Sequence, residues 1–65
     1  MEGWVLLRSF SDIFTAEIAR QALLNSNIEA VVVNKKDSFY VTIGDVELYV
    51  EPSNVAMATE LLKDF

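Results

Sequence analysis

Val46-Glu47-Leu48-Tyr49-Val50 decides the architecture of this chain, because its apolar residues alternate with a carboxylate and a phenol at the period of a β-strand. Gly44-Asp45 stands in front of it, a pair suited to a type II′ hairpin turn or a bulge. Phe39-Tyr40-Val41-Thr42-Ile43 stands in front of that, and a further short strand is expected there. Upstream again, Asn34-Lys35-Lys36-Asp37-Ser38 is the most polar stretch and is expected to be a turn or loop. The β-branched run Ile28-Glu29-Ala30-Val31-Val32-Val33 is expected to be a strand, as is Trp4-Val5-Leu6-Leu7-Arg8 between Gly3 and Ser9.

The strands are separated by one amphipathic helix and followed by another. Ser11 or Asp12 offers an oxygen to the first free N–H groups of the former, and the acidic charge suits its positive end. Thr15, Ala16, Ile18, Ala19, Ala22 and Leu23 then form one stripe, with Glu17, Arg20, Gln21 and Asn25 opposite. Small side chains on that stripe let a helix lie close on a sheet. Asn27 is the candidate left-handed residue that ends the helix. Pro52 fits the first turn of the second helix, with Val55, Ala58, Leu61 and Leu62 expected to face inward.

A right-handed crossover through the first helix sets the strand at 4–8 parallel to the strand at 28–34, with Val46-Glu47-Leu48-Tyr49-Val50 and Glu51 between them. The expected fold class is therefore α+β: a ferredoxin-like half-sandwich, β-α-β-(β)-β-α, one antiparallel sheet with two helices on one face. Its last strand is missing or reduced to the residues near Phe65. Residues 1–65 form a single domain, with no repeat and no linker.

Composition removes most chemistry. The 65 residues contain neither histidine nor cysteine, so no Ser-His or Cys-His nucleophile, thiolate zinc site, imidazole metal site or disulfide can be assembled. With only two glycines, no glycine-rich phosphate loop can be drawn. Carboxylates are the remaining catalytic option: Glu47 and Glu51 share one face of a strand, with Asp45 in the turn and Glu29 on an adjacent strand. Alternating charges on an exposed sheet face account for them without catalysis. We therefore expect no enzyme, no metal and no cofactor.

The net charge of −5 opposes nucleic acid. No apolar run approaches the length of a membrane span, and Met1-Glu2-Gly3 lacks the basic start of a signal peptide, so a cytoplasmic protein with no membrane partner is expected.

Alternation also assigns the two faces of the sheet. With Val5, Leu7, Val46, Leu48 and Val50 toward the helices, Trp4, Leu6, Arg8, Glu47, Tyr49, Val31 and Val33 fall on the other face. Trp4, Leu6, Val31, Val33 and Tyr49 make that face apolar enough to need a cover. Three covers stay open: the segment at 39–43, a second copy in a homodimer through the open sheet face, or a different protein. Lys35, Lys36, Phe39 and Tyr40 are candidate contacts from the neighbouring loop. Phe10 and Phe14 bracket the start of the first helix as an expected packing pair, a ligand pocket being the minor alternative, while Ile13 and Leu24 lie off its stripe and are expected to be ordinary exposed apolar residues.

Trp4-Val5-Leu6-Leu7 with Ser11-Asp12, Ala16-Glu17-Ile18-Ala19 with Leu23-Leu24, Ile28-Glu29-Ala30, Gly44 with Val46-Glu47-Leu48-Tyr49-Val50, and Ala58 with Leu61-Leu62 together resemble the small bacterial family named for prokaryotic signal transducing proteins. The likeness spans nearly the whole chain, and its motifs are mainly structural. It implies a ferredoxin-like fold akin to the nitrogen-regulatory PII proteins. The family pattern usually has glycine where this chain has Asn27, and the long loop on which PII proteins are modified has no counterpart here. A non-enzymatic interaction or signalling adaptor module is the leading expectation. The alternative is a small-ligand-binding regulatory domain resembling PII-like proteins, with the ligand between sheet and loop.

Overall fold

The computed structural model describes residues 2–35 and 45–65. Strand β1 spans Val5–Phe10, helix α1 Ile13–Leu24, strand β2 Ala30–Asn34, strand β3 Val46–Val50, and helix α2 Val55–Leu61, entered through a 3₁₀ turn at Pro52–Asn54. Among the described residues the sheet has three strands in the order β1-β3-β2, and β3 runs antiparallel to both neighbours. The expected strand at 39–43 and the turn residue Gly44 lie outside the described residues.

One face of the sheet holds the core. Val46, Leu48 and Val50 alternate along β3 and are fully buried, together with Ala16, Ala19 and Leu23 of α1 and Ala58 of α2. Phe10, Ile28 and Leu62 complete the cluster, so both helices cover the same side of the sheet. The alanines at the helix–sheet contacts are each 0% exposed, which is the close approach that small side chains permit. Burial of a Leu, Ile or Val side chain stabilises by about 1.5–3 kcal/mol, so a few large residues carry much of the fold.

Local chemistry sets the helix ends. Asp12 caps α1: its carboxylate accepts from the Thr15 N–H at 2.8 Å and from the Thr15 hydroxyl at 2.9 Å. At the other end Asn27 adopts φ 64°, as the sequence predicts. The Ile28 N–H then reaches Leu23 O and the Asn27 N–H reaches Leu24 O, both at 2.9 Å, closing a Schellman-type end. Asparagine tolerates that left-handed turn at lower cost than a β-branched residue.

Four helical expectations need correction. The buried stripe of α1 is narrower than predicted, because Ile18 is 61% exposed and lies roughly opposite Ala16, Ala19 and Leu23. Phe10 is in the core but Phe14 is 78% exposed, so they do not form a buried pair. Ile13, by contrast, packs against the core. On α2, Leu61 is 44% exposed, and only Val55, Ala58 and the following Leu62 turn inward.

The largest correction lies in β1. Its pairing to β3 steps from Leu6↔Tyr49 to Arg8↔Leu48, leaving Leu7 as an extra residue in a β-bulge. The bulge reverses the parity of the strand beyond it. Arg8 and Phe10 therefore join the helix side, and Ser9 instead of Arg8 faces outward. The physical reason is that Val5 and Phe10 are out of phase for a regular strand, and one inserted residue lets both share the side of Val46 and Val50.

Relocated in this way, Arg8 ties β1 to the chain beyond α2. Its Nη1 donates to Leu62 O at 2.9 Å and its Nη2 to Phe65 O at 2.6 Å, while the guanidinium lies 5.5 Å from the Phe10 ring centre. Leu62 is the C-cap at the negative end of α2, where a cation is stabilising, and Phe65 lies three residues beyond it. Residues 62–65 turn after α2 and add no strand to the sheet.

Candidate interaction surface

The face of the sheet away from the helices is built in two rows. Leu6, Tyr49 and Val31 stand side by side across the three strands, and Ser9, Glu47 and Val33 form the next row. Of the predicted contact residues, the structure thus brings together Leu6, Val31, Val33 and Tyr49. Trp4 lies just before β1, half-buried and outside the paired register. Lys36, Phe39 and Tyr40 fall outside the described residues. Leu6 is 47% exposed, whereas Val31, Val33 and Tyr49 are each half-buried.

Lys35, expected to be a loop contact, lies in a polar cluster at the edge of this face. Its Nζ lies 3.0 Å from Glu47 Oε1, and the Tyr49 hydroxyl donates to the same oxygen at 2.8 Å. Glu47 and Tyr49 are two apart on β3, so alternation points both to the open face. The Lys35 N–H donates to Asp45 O at 2.8 Å, which extends the β2–β3 register by one pair and sets Lys35 on the side of Val33 and Glu47. The parity of Lys35 relative to Val31 and Val33 was the available signal for this cluster.

The Tyr49 hydroxyl and then the Lys35 ammonium hold the Glu47 carboxyl below the usual carboxylate range. Glu47 in turn, first through its hydrogen bond, pushes the Lys35 ammonium and the Tyr49 phenol up from their ordinary values. At neutral pH the triad is a carboxylate between an ammonium and a phenol. Such a carboxylate accepts hydrogen bonds and is a poor proton donor. Tyr49 stands between Glu47 and Glu51 along the chain, and Glu29 and Glu51 are exposed beyond the ends of their strands. Among the described residues, no group of three or more Asp and Glu could hold a metal ion.

The described cations all have partners. Arg20 pairs with Glu17 at 3.0 Å, Lys63 with Glu60 at 2.8 Å, Lys35 with Glu47, and Arg8 binds the two carbonyls. A half-open cleft of about 360 Å³ lies at the far edge of the sheet, lined by Leu7, Arg8, Thr59, Leu62 and Lys63. It adjoins β1, so it is at the opposite edge from β2. Among the described residues, no helix is long and apolar enough to cross a membrane. No family model, curated protein or solved structure matches this chain.

Proposed function

We propose that this chain is a non-enzymatic cytoplasmic interaction module, an adaptor that binds a protein through the open face of its sheet. The observation that carries the reading is the contrast between the two faces. The helices cover one side, while the other presents Leu6 at 47% exposure beside Tyr49 and Val31, with Val33 in the next row. An apolar row on a flat β-surface, bordered by the Lys35–Glu47–Tyr49 cluster, has the composition of an interface core with a polar rim. The strand order β1-β3-β2 with both helices on one side supports a ferredoxin-like half-sandwich, and the resemblance to prokaryotic signal transducing proteins agrees with a role in signalling. Engagement of the described cations, in a chain of net charge −5, argues against nucleic acid as the partner.

The test is capture by the immobilised chain, comparing the parent with Leu6→Asp and with Phe14→Ser, the latter changing an exposed ring on α1. Proteins bound through the sheet are lost with Leu6→Asp and kept with Phe14→Ser. Equal retention by the parent and the Leu6→Asp chain removes the open face as the binding surface.

The β1–α2 cleft favours a second reading, a small-ligand regulatory domain. Its volume falls within the range of small-molecule sites, and Leu7 and Leu62 beside the Thr59 hydroxyl suit a small, partly apolar molecule. A metabolite that raises the melting temperature by several degrees supports it.

A further inference from the structure

Among the described residues, strand β2 ends the sheet on one side, as β1 does on the other, but the two edges differ. β1 carries the bulge at Leu7, which disrupts the spacing that a pairing strand needs. β2 keeps an unbroken register from Ala30 to Asn34, contains three consecutive valines, and holds neither proline nor charge. Its backbone directions follow from one bond. The Lys35 N–H donates to Asp45 O, so Lys35 and Asp45 form a mutually bonded pair, as do Val33 with Glu47 and Val31 with Tyr49 by alternation. The N–H and C=O of Val32 therefore point away from β3, off the edge of the sheet. Among the described residues, no strand lies beyond β2.

Charges flank this edge symmetrically. Glu29 precedes β2 and Lys35 follows it, at equal distances along the chain from Val32. We propose that β2 pairs antiparallel with β2 of a second copy of this chain, about a two-fold axis through Val32. The two Val32 residues then exchange N–H···O bonds. Val31 stands opposite the second copy's Val33, and Glu29 of each copy opposite the other's Lys35. Glu29 and Lys35 are both exposed and have the parity of Val31 and Val33, so the pairs form on the open face. Moving the axis to Val31 or Val33 separates Glu29 from Lys35 in both copies, so the charges select one register. Lys35 then lies between its own Glu47 and the second copy's Glu29. Edge pairing leaves the apolar rows of the two copies side by side in one wider sheet and does not require either row to be covered.

Solution mass measured by sedimentation from micromolar to millimolar concentration tests the proposal. The parent reaches twice its 7.3 kDa, and Val32→Pro, which removes an N–H that the fold itself does not use, stays at the monomer mass with a native circular dichroism spectrum. Glu29→Lys and Lys35→Glu each place like charges in both cross-strand pairs and raise the dissociation constant about tenfold. An equimolar mixture of these two variants regains the parent's affinity as a heterodimer, because both of its cross-strand pairs are of opposite sign. Leu6→Asp, on the far edge strand, leaves the dimer intact. A parent that stays monomeric throughout overturns the proposal. So does a dimer that survives Val32→Pro, that is lost with Leu6→Asp, or whose charge variants do not recover on mixing.

Discussion

Glu47 is the side chain whose environment the structure defines most fully. It is 15% exposed, its Oε1 accepts from both Tyr49 and Lys35, and it sits between Ser9 and Val33 on the sheet. Its folded carboxyl is lowered from an ordinary 4.5, so its contribution is present above that value and is lost as pH falls through the lower folded value. Lys35 and Tyr49 are raised from 10.5 and 10.0, so their contributions are full below those values and disappear as pH rises through the higher folded ones. One substitution reaches both limbs, since Glu47 is the first cause of the other two shifts. Glu47→Gln therefore flattens the pH dependence of the urea midpoint at both ends relative to the parent. If the difference between the two chains is constant from acid to alkaline pH, the triad does not couple to folding.

α2 has only about two turns of regular helix, with no side-chain cap at its N-terminus, so its anchoring comes from elsewhere. Arg8 supplies it from β1, through the carbonyls of Leu62 and Phe65. Arg8→Met keeps the aliphatic stem but removes the fork. We expect a loss of about 1–2 kcal/mol, with faster amide exchange at Leu62, whose N–H donates to Ala58 O at 3.0 Å. Arg8→Lys restores less than half, because one ammonium does not match the two-pronged geometry. Unchanged exchange at Leu62 rules out the anchor.

That anchor also marks where the sequence stopped being legible. The alternation of Val46, Leu48 and Val50, the valines of β2 and the caps at Asp12 and Asn27 were readable, because each follows from local chemistry. The bulge was not, because Leu7 has suitable chemistry for either side of a strand and only the demand to bury Phe10 selects the shift. Arg8 moved from the open face to the helix side as a result. Leu6, Val31, Val33 and Tyr49 were placed correctly, since none lies beyond the bulge. Ile18 was misread because its spacing from Ala22 imitates an inward stripe, and the width of that stripe is set by the sheet beneath.

A chain of 65 residues has little stability to spare, on the order of 3–10 kcal/mol at the usual amount per residue. Three of its buried core residues are alanines, which fix the spacing of the layers but bring little apolar area. The margin therefore rests on Leu23, Ile28, Val46, Leu48 and Val50, the largest fully buried side chains. Leu23 is the sharpest probe, because it is 0% exposed and its carbonyl also closes the end of α1 by accepting from Ile28. Leu23→Ala leaves a cavity and costs about 2–5 kcal/mol, a large share of that margin. Phe14→Ser removes a larger side chain from α1, yet that ring is 78% exposed and its loss changes stability by less than about 0.5 kcal/mol. Trp4 fluorescence during urea unfolding reads both. A Leu23→Ala chain as stable as the parent contradicts the single core between helices and sheet. A Phe14→Ser chain as unstable as Leu23→Ala shows instead that the exposed ridge of α1 is covered in solution, which shifts the search for a partner from the sheet to the helix.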